Sequence, residues 1–163
     1  MDLRWKRSCC LGLVCFSMFG CSVAPAGKME SSLIQWTKHN VTVGGRRDVN
    51  PVHNTTQTIE EGKQVFASYC VVCHGRDGQN TGVPFAGSMA PAIPSLNSKQ
   101  VQSYNDGQLK WIVENGIRPS GMPASKGILS DRDMWTIVVY LRHLPPAGSL
   151  GEPRAYSGDE YAK

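Results

Sequence analysis

Apolar residues are gathered into short stretches of this chain, separated by long segments rich in glycine, proline and small polar residues. Ile59, Val65, Phe66 and Tyr69 recur at helical spacing, and Thr58 with Glu61 three residues on gives the capping-box pattern of a helix start. A helix is therefore predicted to run up to about residue 69. Gly62 lies inside it, four residues before Phe66. Glycine costs a helix about 1 kcal/mol relative to alanine, and a close crossing by another helix accounts for such a position. A second helix is predicted over 106–115, with Asp106 as N-cap, Leu109, Ile112 and Val113 apolar, and Gly116 as its stop. Ser130 caps a third, with Asp131 and Asp133 in its first turn. Its inner face is Trp135, Val138, Val139 and Leu141, and Pro145-Pro146 ends it.

The remaining segments carry no sustained periodicity. Gly75, Gly78, Gly82, Pro84, Gly87, Pro91 and Pro94 make 75–94 a loop, and 117–129 reads as another. Loops of this length are unusual in a compact domain unless something such as a cofactor holds them. Residues 22–56 read as a flexible linker, within which Trp36, Val41 and Val43 suit a short strand or packing on the domain; 146–163 is a polar tail. Arg4, Lys6 and Arg7 precede an apolar run over 9–19 and then Gly20, Cys21 and Ser22, which is the order of a secretory signal peptide. That run is too short to span a bilayer. The expected division is thus signal peptide 1–21, linker 22–56, all-α domain 57–145 and tail 146–163.

Composition adds a constraint. In 163 residues, 17 Gly and 10 Pro with 8% aromatic content leave a thin core, which a large apolar cofactor would complete. Of the six cysteines, Cys9, Cys10, Cys15 and Cys21 sit at the N-terminus and only Cys70 and Cys73 lie in the domain, so the pattern is not that of a disulfide scaffold. The formal charge of +4 lies in the first 21 residues and in the segment around Lys28, Lys38, Arg46 and Arg47. The domain is close to neutral, which leaves no basic face for nucleic acid.

The densest chemistry is Cys70-Val71-Val72-Cys73-His74. On a turn of helix the two thiols share a face, at a spacing that suits both vinyl groups along one edge of a porphyrin, and the next residue brings an imidazole under the iron. A zinc site would need paired histidines, but His39, His53 and His143 lack that spacing, and a thioredoxin-like pair would need a βαβ setting. His39 and His53 read as solvated side chains. For the opposite face of the iron the candidates are Met89, Met122, Met134 and His143; Met134 suits a core position and His143 a helix end. Met122 lies in Gly121-Met122-Pro123, where glycine permits close approach and proline stiffens the loop.

The chain resembles the class I cytochrome c family over about 57–145. The likeness rests on Cys-x-x-Cys-His after a helix bearing Gly62 and Phe66, on Pro94-Ser95-Leu96, on 115–123 as a methionine-ligand loop, and on a last helix with Trp135 and Tyr140. The resemblance implies an all-α cytochrome c fold, three main helices with long loops around one covalent haem c. It implies Cys70 and Cys73 as thioether attachments, His74 as proximal ligand and Met122 as distal ligand, with Met89 the alternative. It also implies that the Pro94 carbonyl, or one near Pro91, accepts a hydrogen bond from the His74 ring, and that Gly62 packs against Trp135 or Tyr140 of the last helix. Met18-Phe19-Gly20-Cys21 resembles a bacterial lipobox, with Met where Leu is usual; Cys21 is then a lipidated anchor on the periplasmic side, the alternative being a plain signal peptide.

With both axial sites filled, the expected function is one-electron transfer between partner proteins, with no small-molecule substrate evident. A gas-binding sensor would instead need Met122 to leave the iron, and a peroxidase of this kind usually has two haem motifs where this chain has one. Val71, Val72, Arg76 and the Met122 loop are expected to border a near-neutral docking patch.

Overall fold

The computed structural model describes residues 36–89, 92–118, 120–146 and 148–151; the signal segment with Cys21, Pro91, Pro119 and the end of the tail lie outside them. Five α-helices follow one another here: α1, Thr56–Tyr69; α2, Val71–His74; α3, Lys99–Gln102; α4, Asp106–Asn115; and α5, Asp131–Leu141. A π-helical turn, Lys38–Thr42, precedes them, and a 3-10 turn, Ala86–Ser88, interrupts the first long loop. Among the described residues the only β-type pairings are the isolated bridges Ile117 to Met122 and Lys126 to Leu129. The fold is all-α, with three main helices and long loops.

Two helices are capped earlier than expected, the first by three residues and the second by one. Thr55, not Thr58, caps α1: its hydroxyl accepts from the Thr58 amide, and the Thr58 hydroxyl accepts from the Thr55 amide at 3.0 Å. Threonine thus fills the reciprocal position that glutamate usually holds. Glu61 is left to bond Gln57 at 2.9 Å and Arg132 at 2.8 Å, tying α1 to the start of α5. Asn105 rather than Asp106 caps α4, reciprocally with Gln108. Ser130 caps α5 as expected, with Asp133 closing the box.

Helix α5 is the centre of the molecule, and every residue from Met134 to Leu141 is buried. A helix enclosed all round is apolar over most of its surface, which is why its inward face is wider than its period suggests, and the buried Thr136 spends its hydroxyl on the Asp133 carbonyl at 2.9 Å. Met134, Ile137, Tyr140 and Leu141 pack with Phe66, Val113 and Leu129, while Trp135 and Val138 pack with Tyr104, Leu109 and Ile112 of the α4 region. Helix α1 crosses α5 at Gly62, where a Cβ would overlap the Thr136 carbonyl and lie 3.0 Å from Tyr140 Cβ. One turn further, the Phe66 and Tyr140 rings meet with centroids 5.3 Å apart. The partner of Gly62 is therefore Tyr140 and the Thr136 backbone, and Trp135 faces the other cluster.

Part of the segment expected as a flexible linker is built into the domain. Val43 is 2% exposed within the Trp135 cluster. Gln108 donates to the Gly44 carbonyl at 3.0 Å, Asn105 to the Arg46 carbonyl at 2.8 Å, and Asn50 to the Trp135 carbonyl at 3.2 Å. Gly107 makes room for this strap, since a Cβ there would stand 2.8 Å from Asp48 backbone atoms. At the other end of α5, Arg142 bonds Asp106 and the carbonyls of Gln102 and Tyr104, joining α3, α4 and α5. No helix among the described residues is long and apolar enough to cross a membrane.

Candidate haem site

Helix α1 ends and α2 begins at Cys70, whose amide donates to the Phe66 carbonyl at 2.8 Å and whose carbonyl accepts from Cys73 and His74 at 3.1 and 2.9 Å. One helical turn thus carries Cys70, Cys73 and His74. Gly75 stops it with φ of 71°, a left-handed conformation, and a Cβ there would stand 2.8 Å from the Thr81 amide nitrogen and carbonyl oxygen. A side chain at 75 meets both strain and backbone.

The two thiols are unpaired and lean on different apolar groups. Cys70 packs against the Phe66 cluster, and Cys73 against Val83, Ala86 and Ile93. Burial, with Cys73 nearby, pushes the Cys70 thiol up to about 12. Burial lowers His74 to about 4, so its ring is neutral with a free lone pair. His74 Nδ1 is enclosed and has no hydrogen-bond partner. A buried histidine ordinarily spends its ring nitrogens on hydrogen bonds. Even the exposed His143 does so, with Nδ1 2.8 Å from the Val139 carbonyl and Nε2 3.2 Å from Asn54 Nδ2. A neutral His74 ring that no hydrogen bond ties elsewhere, on one turn with two free thiols, gives a set of residues that fits a covalently attached haem.

The hydrogen bond expected from His74 to the Pro94 carbonyl is not made. The carbonyl that the turn after the motif engages is that of Ile93, which accepts from Asn80 Nδ2 at 2.7 Å. Leu96 donates its amide to the Gly78 carbonyl at 2.7 Å, so Pro94 sits between two anchored neighbours with its ring exposed.

Met122 lies in a tight loop. The Ile117 amide donates to the Met122 carbonyl at 3.3 Å, and Gly116, with φ of 67°, ends α4 so closely beneath that a Cβ would overlap the same carbonyl. Its side chain is partly buried against the Trp135 cluster. Met89 is 39% exposed, and its Cε lies 3.4 Å from where a Gly121 Cβ would stand, so the two candidate methionines border one loop. Met134 is a core residue at 4% exposure. His53 is exposed, and the side chain of His39 lies outside the described residues, as does Cys21.

Beside α2 the surface opens into a groove of about 420 Å³, whose lining includes Val71, Val72, Arg76, Val83, Phe85 and Leu150. Val72, Phe85 and Leu150 are all substantially exposed there. Phe85 and Leu150 are not legible as site residues in the sequence, since both come from loops without periodicity.

The helical frame, the motif turn and the unspent histidine together define a monohaem class I cytochrome c, a class that binds one haem c covalently. The family described as cytochrome c oxidase, cbb3-type, subunit III matches residues 57–141, just over half of the chain, and the chain belongs to it. A thiosulfate dehydrogenase of Stutzerimonas stutzeri (strain A1501) is 34% identical over 84 residues, which are 51% of this chain and 26% of that protein. The chain thus matches about a quarter of that relative's length. Haem-based electron transfer is the function these likenesses carry.

Proposed function

We propose that this chain is a one-electron carrier whose haem is held by thioether bonds to Cys70 and Cys73, with His74 and Met122 as axial ligands. The observation that carries the reading is His74, neutral, enclosed and without a hydrogen-bond partner, one residue past Cys73 on the same turn. When bound, the haem supplies a reversible one-electron iron couple, and a thioether ligand favours the reduced state. The chain's part is to fix the ligands, keep water from the iron and present an edge to partners. Val72, Phe85 and Leu150 around Arg76 support docking beside the motif by a near-neutral, apolar surface. Residues 1–21 support export, and Cys21 supports a lipid anchor that holds the carrier on the periplasmic side of a membrane.

The same module also suits a larger oxidoreductase. The relative named a thiosulfate dehydrogenase shares only this stretch with the chain, and the family takes its description from an oxidase subunit. In such an assembly this domain passes electrons while other parts meet substrate.

Carbon monoxide separates the carrier from a gas sensor. The reduced protein at neutral pH is expected to keep its spectrum on exposure, because Met122 holds the site. Fast, complete formation of a carbonyl complex would overturn the carrier reading.

A further inference from the structure

Asn80 has a job that the motif does not explain. It is fully buried, and it is the one non-glycine residue with positive φ among the described residues, at 65°. Its amide donates to the His74 carbonyl at 2.8 Å, and its side-chain Nδ2 donates to the Ile93 carbonyl at 2.7 Å. One residue therefore joins the end of the haem-motif turn to the far end of the first long loop. Asparagine tolerates the left-handed conformation because its short amide bonds locally, and glycine would tolerate it better. Backbone demand alone therefore does not account for asparagine. The side chain does, through the Ile93 bond.

The turn that presents Asn80 is itself fixed. Asp77 is fully buried and accepts from the Gln79 amide at 2.9 Å and the Thr81 hydroxyl at 2.5 Å. On the other side of Pro94 the Leu96 amide holds the Gly78 carbonyl at 2.7 Å. Pro94 is thus bracketed by Ile93 and Leu96, and the Ile93 bracket is the one that depends on a side chain.

We propose that Asn80 is a positioning residue for the haem iron, setting where the Ile93-Pro94 backbone lies relative to the His74 ring and so tuning the histidine as a ligand. The inference rests on the reading of His74 as the proximal ligand. A ligating imidazole whose second nitrogen donates a hydrogen bond is oriented and made more basic by its acceptor. The enclosed His74 Nδ1 has no acceptor in the structure, and Asn80 is the residue that ties the His74 backbone itself to the loop segment carrying Ile93, so it sets the ligand-bearing turn against that segment.

The test uses the exported, haem-loaded full chain and two variants. Asn80→Gly keeps the backbone conformation and removes only the amide; Asn80→Asp keeps the shape and sets an oxygen against the Ile93 carbonyl. Both are expected to retain covalent haem and the ferric iron-to-sulfur band. Both are expected to shift the midpoint potential and the paramagnetically shifted NMR signals of the ligand imidazole, with faster exchange of its N–H and the larger shift in the aspartate variant. Glycine-variant protein with a lowered melting temperature but unchanged potential and imidazole signals would make Asn80 a purely structural residue and overturn the proposal. Absence of any iron-bound imidazole signal from the unaltered protein would instead overturn the ligand assignment, and the positioning role with it.

Discussion

Gly62→Ala is expected to lower the melting temperature of the domain sharply, although the same substitution in most exposed helices raises it. Two effects oppose each other. Alanine gains up to about 1 kcal/mol in helix propensity over glycine. Against this, the added methyl would overlap the Thr136 carbonyl oxygen and stand 2.7 Å from Thr136 C and 3.0 Å from Tyr140 Cβ. Those neighbours are backbone and a β-carbon, so no flexible tip can swing aside. Helices α1 and α5 must then separate, loosening Phe66 from Tyr140 as well. Overpacking of this kind costs about 1–3 kcal/mol, and for a domain this small each kcal/mol moves the midpoint by about 4–8 °C. Thermal unfolding followed by circular dichroism measures it. A midpoint at or above that of the unaltered protein would remove the crossing from the account.

Met122→Ala is expected to abolish the ferric iron-to-sulfur charge-transfer band, lower the potential and let carbon monoxide bind the reduced protein rapidly, while the haem stays attached. The loop that carries Met122 is closed by the Ile117 bond and seated on Gly116, so its backbone survives loss of the side chain. With Met122 as the proposed ligand, removing its soft thioether would withdraw preferential stabilisation of Fe(II) and leave the iron open to an added ligand. Met89 provides the internal control because it borders the same loop. A band that persists in Met122→Ala and disappears in Met89→Ala would move the distal ligand to the first loop.

The main helices were readable because their signals are local. Ser130, the apolar stripe from Trp135 to Leu141, and Gly116 with its positive φ each act within a few residues, and the last two long helices fall where these place them. The crossing at Gly62 was also readable, since a glycine inside an amphipathic helix needs a tertiary reason. Thr55 escaped as a cap because a threonine at Thr58 takes the place of the expected glutamate. The packing of Val43 was open in the sequence, because a single valine in a polar stretch has no period to reveal it; its burial depends on Gly107 and Gln108, far along the chain.

At the site, the motif turn was fully legible and the loop beneath it was not. Five contiguous residues encode Cys70, Cys73 and His74, whereas the course of 75–96 depends on long-range bonds from Asn80 to Ile93 and from Leu96 to Gly78. The resemblance implies the Pro94 carbonyl as acceptor for His74, whereas in the structure His74 Nδ1 has no partner and the side-chain bond into this part of the loop is that of Asn80 to Ile93. Asp77-Gly78-Gln79-Asn80 did hold a signal, since buried aspartate and left-handed asparagine are turn-forming residues whose side chains bond nearby backbone.

The attachment of haem through Cys70 and Cys73 is tested most directly by the intact mass of the purified, exported protein under denaturing conditions, beside the Cys70→Ser/Cys73→Ser double variant. The expected result is a chain heavier by one haem that keeps its colour through acid-acetone extraction, and a variant that has lost both. A chain of bare polypeptide mass, or haem that leaves into the acetone, would contradict the account.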